Sequence, residues 1–230
     1  MATSENVPVV LIHGWAGNFT DTWQKPGIDA LLADVGREVV GLNLLGHGDQ
    51  DKPHEPEAYC ALPEWLLDHL PQEPVVDVVG FSLGALTTLR ALIAAPERFG
   101  KIVLAGIGDG VFSPADPAGN KRIVDALEGR AGDDDTFARM FANYGNTPGN
   151  DVLALTAIMK RPPADPIDPR VLNTITNEVL VVIGDKDFTA PADALAAAFP
   201  NGKLVVLRNT DHFATTESFS FIDALLDFLA

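Results

Sequence analysis

The chain has 230 residues, 47% of them apolar and 21% charged, a balance that suits one globular domain with a sizeable core. Sixteen basic residues face 32 acidic ones, giving a formal net charge of −16, and a surface of that sign disfavours nucleic acid and anionic membrane as partners. The one cysteine, Cys60, excludes an internal disulfide and a cysteine-cluster zinc site, and no apolar run approaches the ~20 residues of a transmembrane helix.

The opening MATSENVPVV lacks a basic stretch followed by a long apolar one, so no signal peptide is read and a cytoplasmic protein is expected. VPVVLI at 7–12 is apolar throughout, as in a strand covered on both faces of a parallel sheet. The Gly-rich loop HGWAGNFTDTW follows, then a helix over about 27–35 and a strand REVVGLNL over 37–44. LGHGDQDKPHEP is a loop punctuated by glycine and proline. A helix is predicted near 58–70, a strand VVDVVGF over 75–81, a helix LGALTTLRALIAA ending before Pro96, and a strand KIVLAGIG over 101–108. From 111 to 176 the alternation fails, and Pro-, Gly- and Asp-rich pieces surround helical ones at IVDALEG, TFARMFANY and DVLALTAIMKR. It resumes with a strand over 177–183, a helix PADALAAAF, a strand KLVVLRN and a closing helix SFIDALLDFLA.

Strands alternating with helices predict a doubly wound α/β fold with a mostly parallel sheet of about six strands. The interruption at about 111–176 holds enough Leu, Phe, Met and Ile to need burial, so it is expected to be a small helical cap over the C-terminal ends of the strands, within a single domain 1–230.

GFSLG at 80–84 places a serine between two glycines where a strand turns into a helix. That is the G-x-S-x-G elbow: the tight turn lifts the Ser82 hydroxyl clear of the sheet, and Gly80 and Gly84 lack the Cβ atoms that would collide. A serine nucleophile needs a base and an orienting carboxylate, in the chain order Ser, acid, His. Of five histidines, only His212 follows the serine, in a loop beyond KLVVLRN. VLVVIGDKDFTAP offers Asp185 and Asp187; Asp185 directly follows Gly184, where a side chain usually caps the local turn, so Asp187 is preferred, with Asp193 expected inside a helix. The backbone N–H groups of Leu83 and Trp15 are the expected oxyanion donors. His13 and His47 are read as structural, shaping their loops, and Cys60 as a buried or partly buried bystander.

HGW (13–15), LGHGDQDKP (45–53), GFSLG (80–84), GDKD (184–187) and DH (211–212), in this order, resemble the α/β-hydrolase superfamily over nearly the whole chain. The likeness is to its serine-nucleophile branch of esterases, lactonases, C–C hydrolases and haloperoxidase-like proteins, whose members carry a helical cap. It implies Ser82, Asp187 and His212 as triad and the N–H groups of Trp15 and Leu83 as oxyanion hole. Two departures stand out: the N-terminal antiparallel hairpin of the family looks absent, and the cap is compact. Loss of the hairpin leaves REVVGLNL as a sheet edge, to be protected by polar side chains or by a partner subunit in a homodimer. A serine at the elbow argues against haloalkane dehalogenases and epoxide hydrolases, which use aspartate there. The expected function is cleavage of small to medium carboxylic esters, with no metal or cofactor and a pocket lined by Trp15, Phe112, Phe141 and Met159. The alternatives are a C–C hydrolase of dienoic diketo-acids, for which Lys160 and Arg161 are candidate cations, a lactonase or perhydrolase, and a non-catalytic small-molecule receptor.

Overall fold

The computed structural model describes residues 7–132 and 134–230. β1 (Val9–Ile12), β2 (Val39–Leu42), β3 (Val76–Phe81), β4 (Phe99–Ala105), β5 (Val179–Gly184) and β6 (Gly202–Leu207) form one sheet in the order β2-β1-β3-β4-β5-β6. Every pairing is parallel. The apolar strands explain this, because a parallel strand is covered by helices on both faces.

Alternate residues of each strand enter two separate cores. Val10 and Ile12 of β1, with Val179, Val181 and Ile183 of β5, face α2 (Leu62–His69), α3 (Leu83–Ala94) and α8 (Asp193–Ala197). Val9 and Leu11, with Leu180 and Val182, face α1 (Ile28–Asp34) and α9 (Phe219–Leu229). From β1 the chain steps outward to β2, then returns to place β3 on the other side of β1. Connections therefore leave in opposite directions beside β1 and β3, and a crevice opens at their C-terminal ends.

The segment expected as one helix near 58–70 is two pieces, a 3₁₀ turn at Pro56–Tyr59 and α2, because Pro63 restarts the helix in its first turn. β2 is an edge strand; its Gly41 lies under the Phe19 ring, which a Cβ there would meet at 2.4 Å. Between β4 and β5 run α4 (Pro117–Leu127), α5 (Thr136–Gly145), α6 (Val152–Lys160) and the short α7 (Pro169–Leu172). Aspartates cap all four: Asp116, Asp135, Asp151 and Asp168 accept from backbone N–H groups of the first turns. At the opposite end of the sheet, buried Arg37 donates to Asp77 at 2.5 Å and to the carbonyls of Val7 and Leu229, while Asp77 also accepts from Lys101 N–H at 2.6 Å. This pair ties β3, β4 and the end of α9 together. No helix of the described residues is long and apolar enough to cross a membrane.

Candidate active site

Ser82 joins β3 to α3 with φ 52° and ψ −112°. A non-glycine residue in such a conformation costs about 1–3 kcal/mol and persists only where its surroundings dictate it. Here they do. Ser82 N–H donates to Ala105 O at 2.8 Å, and its carbonyl accepts from Leu86 N–H at 2.9 Å. Strand and helix close so tightly that a Cβ on Gly80 would sit 2.7 Å from Ala85 N, and one on Gly84 2.5 Å from His13 O. The two glycines of GFSLG are thus required by contact.

Ser82 Oγ lies 2.9 Å from His212 Nε2. His212 Nδ1 lies 3.0 and 2.9 Å from the two carboxylate oxygens of Asp187. A carboxylate only accepts, so Nδ1 carries the proton and Nε2 accepts from the serine hydroxyl. His212 and Asp187 are both 5% exposed. Burial pushes the Asp187 carboxyl up, but hydrogen bonds from His212 and from Thr189 outweigh it, and its pKa lies below the ordinary carboxylate value. Thr189 donates twice, from N–H and Oγ1, each at 2.8 Å. Its role went unread in the sequence, although an acid followed two residues on by Thr is the pattern of a side-chain-capped turn. Asp185 is exposed and accepts from Thr210 N–H at 3.2 Å, so instead of capping its own turn as expected it bridges to the loop after β6. Asp193 opens α8.

A Cβ on Gly14 would lie 3.1 Å from Ser82 Cβ, so the loop after β1 passes directly over the serine. Among the described residues the backbone N–H groups of Trp15 and Leu83 donate to no protein acceptor. Two buried histidines pin this loop. His13 Nε2 accepts from Leu44 N–H at 3.1 Å and its Nδ1 faces Gly14 O at 2.7 Å. His47 Nε2 accepts from Ala16 N–H at 3.0 Å and its Nδ1 faces Leu45 O. Their rings meet edge-on at 4.9 Å. Burial lowers the pKa of His13 to about 4; burial and then the charge of His13 lower that of His47 to about 3. Both act as neutral rings cross-linking the loops after β1 and β2.

Aromatic rings surround His212. Phe188 stands 4.4 Å from it, Phe81 5.0 Å and Phe213 5.7 Å. Phe141 contacts Phe188 and Phe213, and Trp15 packs on Phe141 at 5.8 Å. Trp15 also donates its indole N–H to Leu155 O of α6 at 3.1 Å.

A cavity of about 710 Å³ adjoins the elbow at Leu83 and the acid loop at Phe188 and Thr189. Trp15, Phe112, Phe141 and Met159 are not in its lining. Trp15 and Phe141 are consumed by the packing just described, Phe112 packs against the core, and Met159 lines a smaller cavity of about 500 Å³ beside α4. The lining comes instead from one face of α3, the start of α2, the loop after β4 and the stretch 161–166. Lys160 pairs with Glu128 at 2.7 Å, whereas Arg161 faces the cavity. Cys60, expected to be buried or partly buried, is exposed and lies in the lining.

Comparison with known proteins bears on this arrangement. Residues 7–156 match the family model of the alpha/beta hydrolase fold. Over 96% of its length the chain is 27% identical to a 2-hydroxy-6-oxononadienedioate/2-hydroxy-6-oxononatrienedioate hydrolase of Pseudomonas putida, covering 87% of that protein. Among solved structures, a candidate non-heme bromoperoxidase of Mycobacterium tuberculosis superposes with a TM-score of 0.74 at 22% identity, over 97% of this chain and 91% of that one. An esterase of Exiguobacterium antarcticum gives 0.74 at 21% identity, over 97% and 92%. At such identities the structures speak for the fold alone. The family model, by contrast, reaches from β1 into α6, well over half of the sequence, and the protein belongs to the α/β-hydrolase fold family.

Proposed function

We propose that the protein is a serine hydrolase cleaving carboxylic esters of small to medium acyl substrates, with Ser82 as nucleophile, His212 as base and Asp187 as orienting acid. The observation that carries this reading is the 2.9 Å contact of Ser82 Oγ with His212 Nε2 at a backbone-strained turn. Ser82 Oγ attacks the ester carbonyl carbon and its proton passes to His212 Nε2. The carbonyl electron pair moves to oxygen, where the N–H groups of Trp15 and Leu83 receive it. Collapse of the adduct breaks the bond to the leaving alkoxide, which takes the proton from His212. Water, deprotonated by the same histidine, then attacks the acyl-enzyme, and the proton returns to Ser82 as the acid is released. The helices from α4 to α7 serve as the cap over this site.

The test is a panel of p-nitrophenyl esters from acetate to palmitate with wild type and Ser82→Ala. Turnover of the short esters that disappears in the variant is expected; no turnover of any ester by folded protein would refute the reading. A second reading is hydrolysis of a C–C bond in a dienoic diketo-acid. The likeness to the Pseudomonas putida hydrolase along nearly the whole chain favours it. Following the loss of such a dienoate's colour in the same panel separates the two.

A further inference from the structure

The cavity beside the elbow has a polar far end. Leu83, Leu86, Thr87 and Arg90 line it from α3, at the i, i+3, i+4, i+7 spacing of a single helix face. Seven residues of helix rise ~10 Å along the axis, so the backbone of this stripe leads from Leu83, the proposed oxyanion donor, to Arg90 about that far along α3. Arg161, the residue that ends α6, also enters the lining.

Both arginines are half-buried, and neither has a carboxylate at ion-pairing distance among the described residues. Arg90 donates from Nη2 to the backbone carbonyl of Asp165 at 2.7 Å, and Arg161 from Nη1 to that of Ile158 at 2.6 Å. A guanidinium has five N–H donors, and the nitrogens not used here are not closed off from solvent. In a chain of net charge −16, Arg37, Arg122, Arg130 and Arg170 each hold an acidic partner, while these two share one cavity without an ion pair, the charge of Asp165 partly offsetting the burial of Arg90. Burial lowers the pKa of Arg161, the neighbouring Cys60 opposes that, and the charge of Arg90 adds to it. The remaining ionisable groups of the lining are Asp165, Cys60 and Tyr59, and the Tyr59 hydroxyl donates to Pro53 O.

We propose that Arg90 and Arg161 form a carboxylate subsite at the far end of this cavity, selecting esters whose acyl part ends in a carboxylate ~10 Å from the scissile carbonyl. The claim rests on the reading of Ser82 as the nucleophile of an ester hydrolase. Two forked cations suit a planar carboxylate, and the acidic surface disfavours a more highly charged anion such as phosphate.

The test compares mono-p-nitrophenyl suberate with its methyl-capped neutral counterpart, in wild type, Arg90→Gln, Arg161→Gln and the two Lys variants, with folding checked by thermal melts. Wild type should prefer the anionic ester by on the order of tenfold or more in kcat/KM, expressed in KM. That ratio should fall towards one in each Gln variant and be partly kept in the Lys variants. A wild-type ratio near one, or a ratio unmoved by both Gln variants, overturns the subsite. Failure of the ester reading is separable: neither suberate ester would then be turned over. In that event calorimetric titration of Ser82→Ala with monomethyl suberate decides, saturable binding lost in Ser82→Ala/Arg161→Gln supporting the subsite and absence of binding overturning it.

Discussion

At Ser82 the hydroxyl is both positioned by strain and connected to a base, and the two can be tested separately. Ser82→Ala removes the proposed nucleophile and leaves the backbone turn to its neighbours; turnover of a short ester should fall about a millionfold, measured as kcat against wild type. Asp187→Asn keeps the shape but puts an N–H donor where His212 Nδ1–H now finds an acceptor. The imidazole then favours the wrong tautomer, and kcat should drop by about 10⁴-fold with little change in KM. A fall smaller than about tenfold would mean that Asp187 does not orient His212. Much at this scale was legible in the chain itself. His212 is the one histidine after GFSLG, whereas the bridge from Asp185 to Thr210, in the loop after β6, was not legible. Thr189 was not legible as a partner of Asp187, because a hydroxyl two residues on marks countless turns, and only the fold shows which acceptor it finds.

The loops after β1 and β2 are held together by two neutral imidazoles, a link between elements that should govern how the protein responds to acid. Folded His13 and His47 have pKa values of about 4 and about 3, against 6.5 for an unperturbed histidine. Below about pH 6.5 the unfolded chain takes up protons that the folded rings refuse, so stability is full above that pH and is lost as pH falls towards 4. The slope from each ring approaches ~1.4 kcal/mol per pH unit in that window. Urea midpoints followed from pH 7.5 to 4.5 should decline accordingly, and His47→Gln should flatten the decline; a midpoint independent of pH in the wild type would contradict the clamp. The other end of the sheet depends on a different link. Arg37→Ala would leave Asp77 charged and buried and should destabilise by about 3–5 kcal/mol in denaturant unfolding. The order and type of most elements could be read from apolar runs and their punctuation. The break at Pro63 shifts a helix start by a few residues, a boundary that periodicity does not fix. The pocket was read least well. Trp15, Phe112, Phe141 and Met159 are large and apolar, which says that they must be buried but not against what; the indole N–H of Trp15 found Leu155 O, and Phe141 found Phe188 and Phe213.

Across the whole molecule, three loops at the C-terminal ends of the strands converge from residues 82, 187 and 212, far apart in the chain, onto one series of hydrogen bonds. The parallel sheet brings this about: with all six strands pointing one way, every strand delivers its following loop to the same edge. That the sheet would be mostly parallel was legible in the alternation of strands with helices. That Arg90 would share a cavity with Arg161 was not, since one lies on α3 and the other ends α6, and their meeting depends on how the helices after β4 fold back. The central claim is that Ser82 forms an acyl-enzyme. It is tested most directly by mixing the protein with p-nitrophenyl acetate, following the release of p-nitrophenolate in the first turnover and mapping the acetylated peptide by mass spectrometry after acid quenching. A burst stoichiometric with protein and an acetyl group on Ser82, both absent in Ser82→Ala, is the predicted result. A burst that persists in Ser82→Ala, or turnover with acetyl on no residue or on a residue other than Ser82, would contradict it.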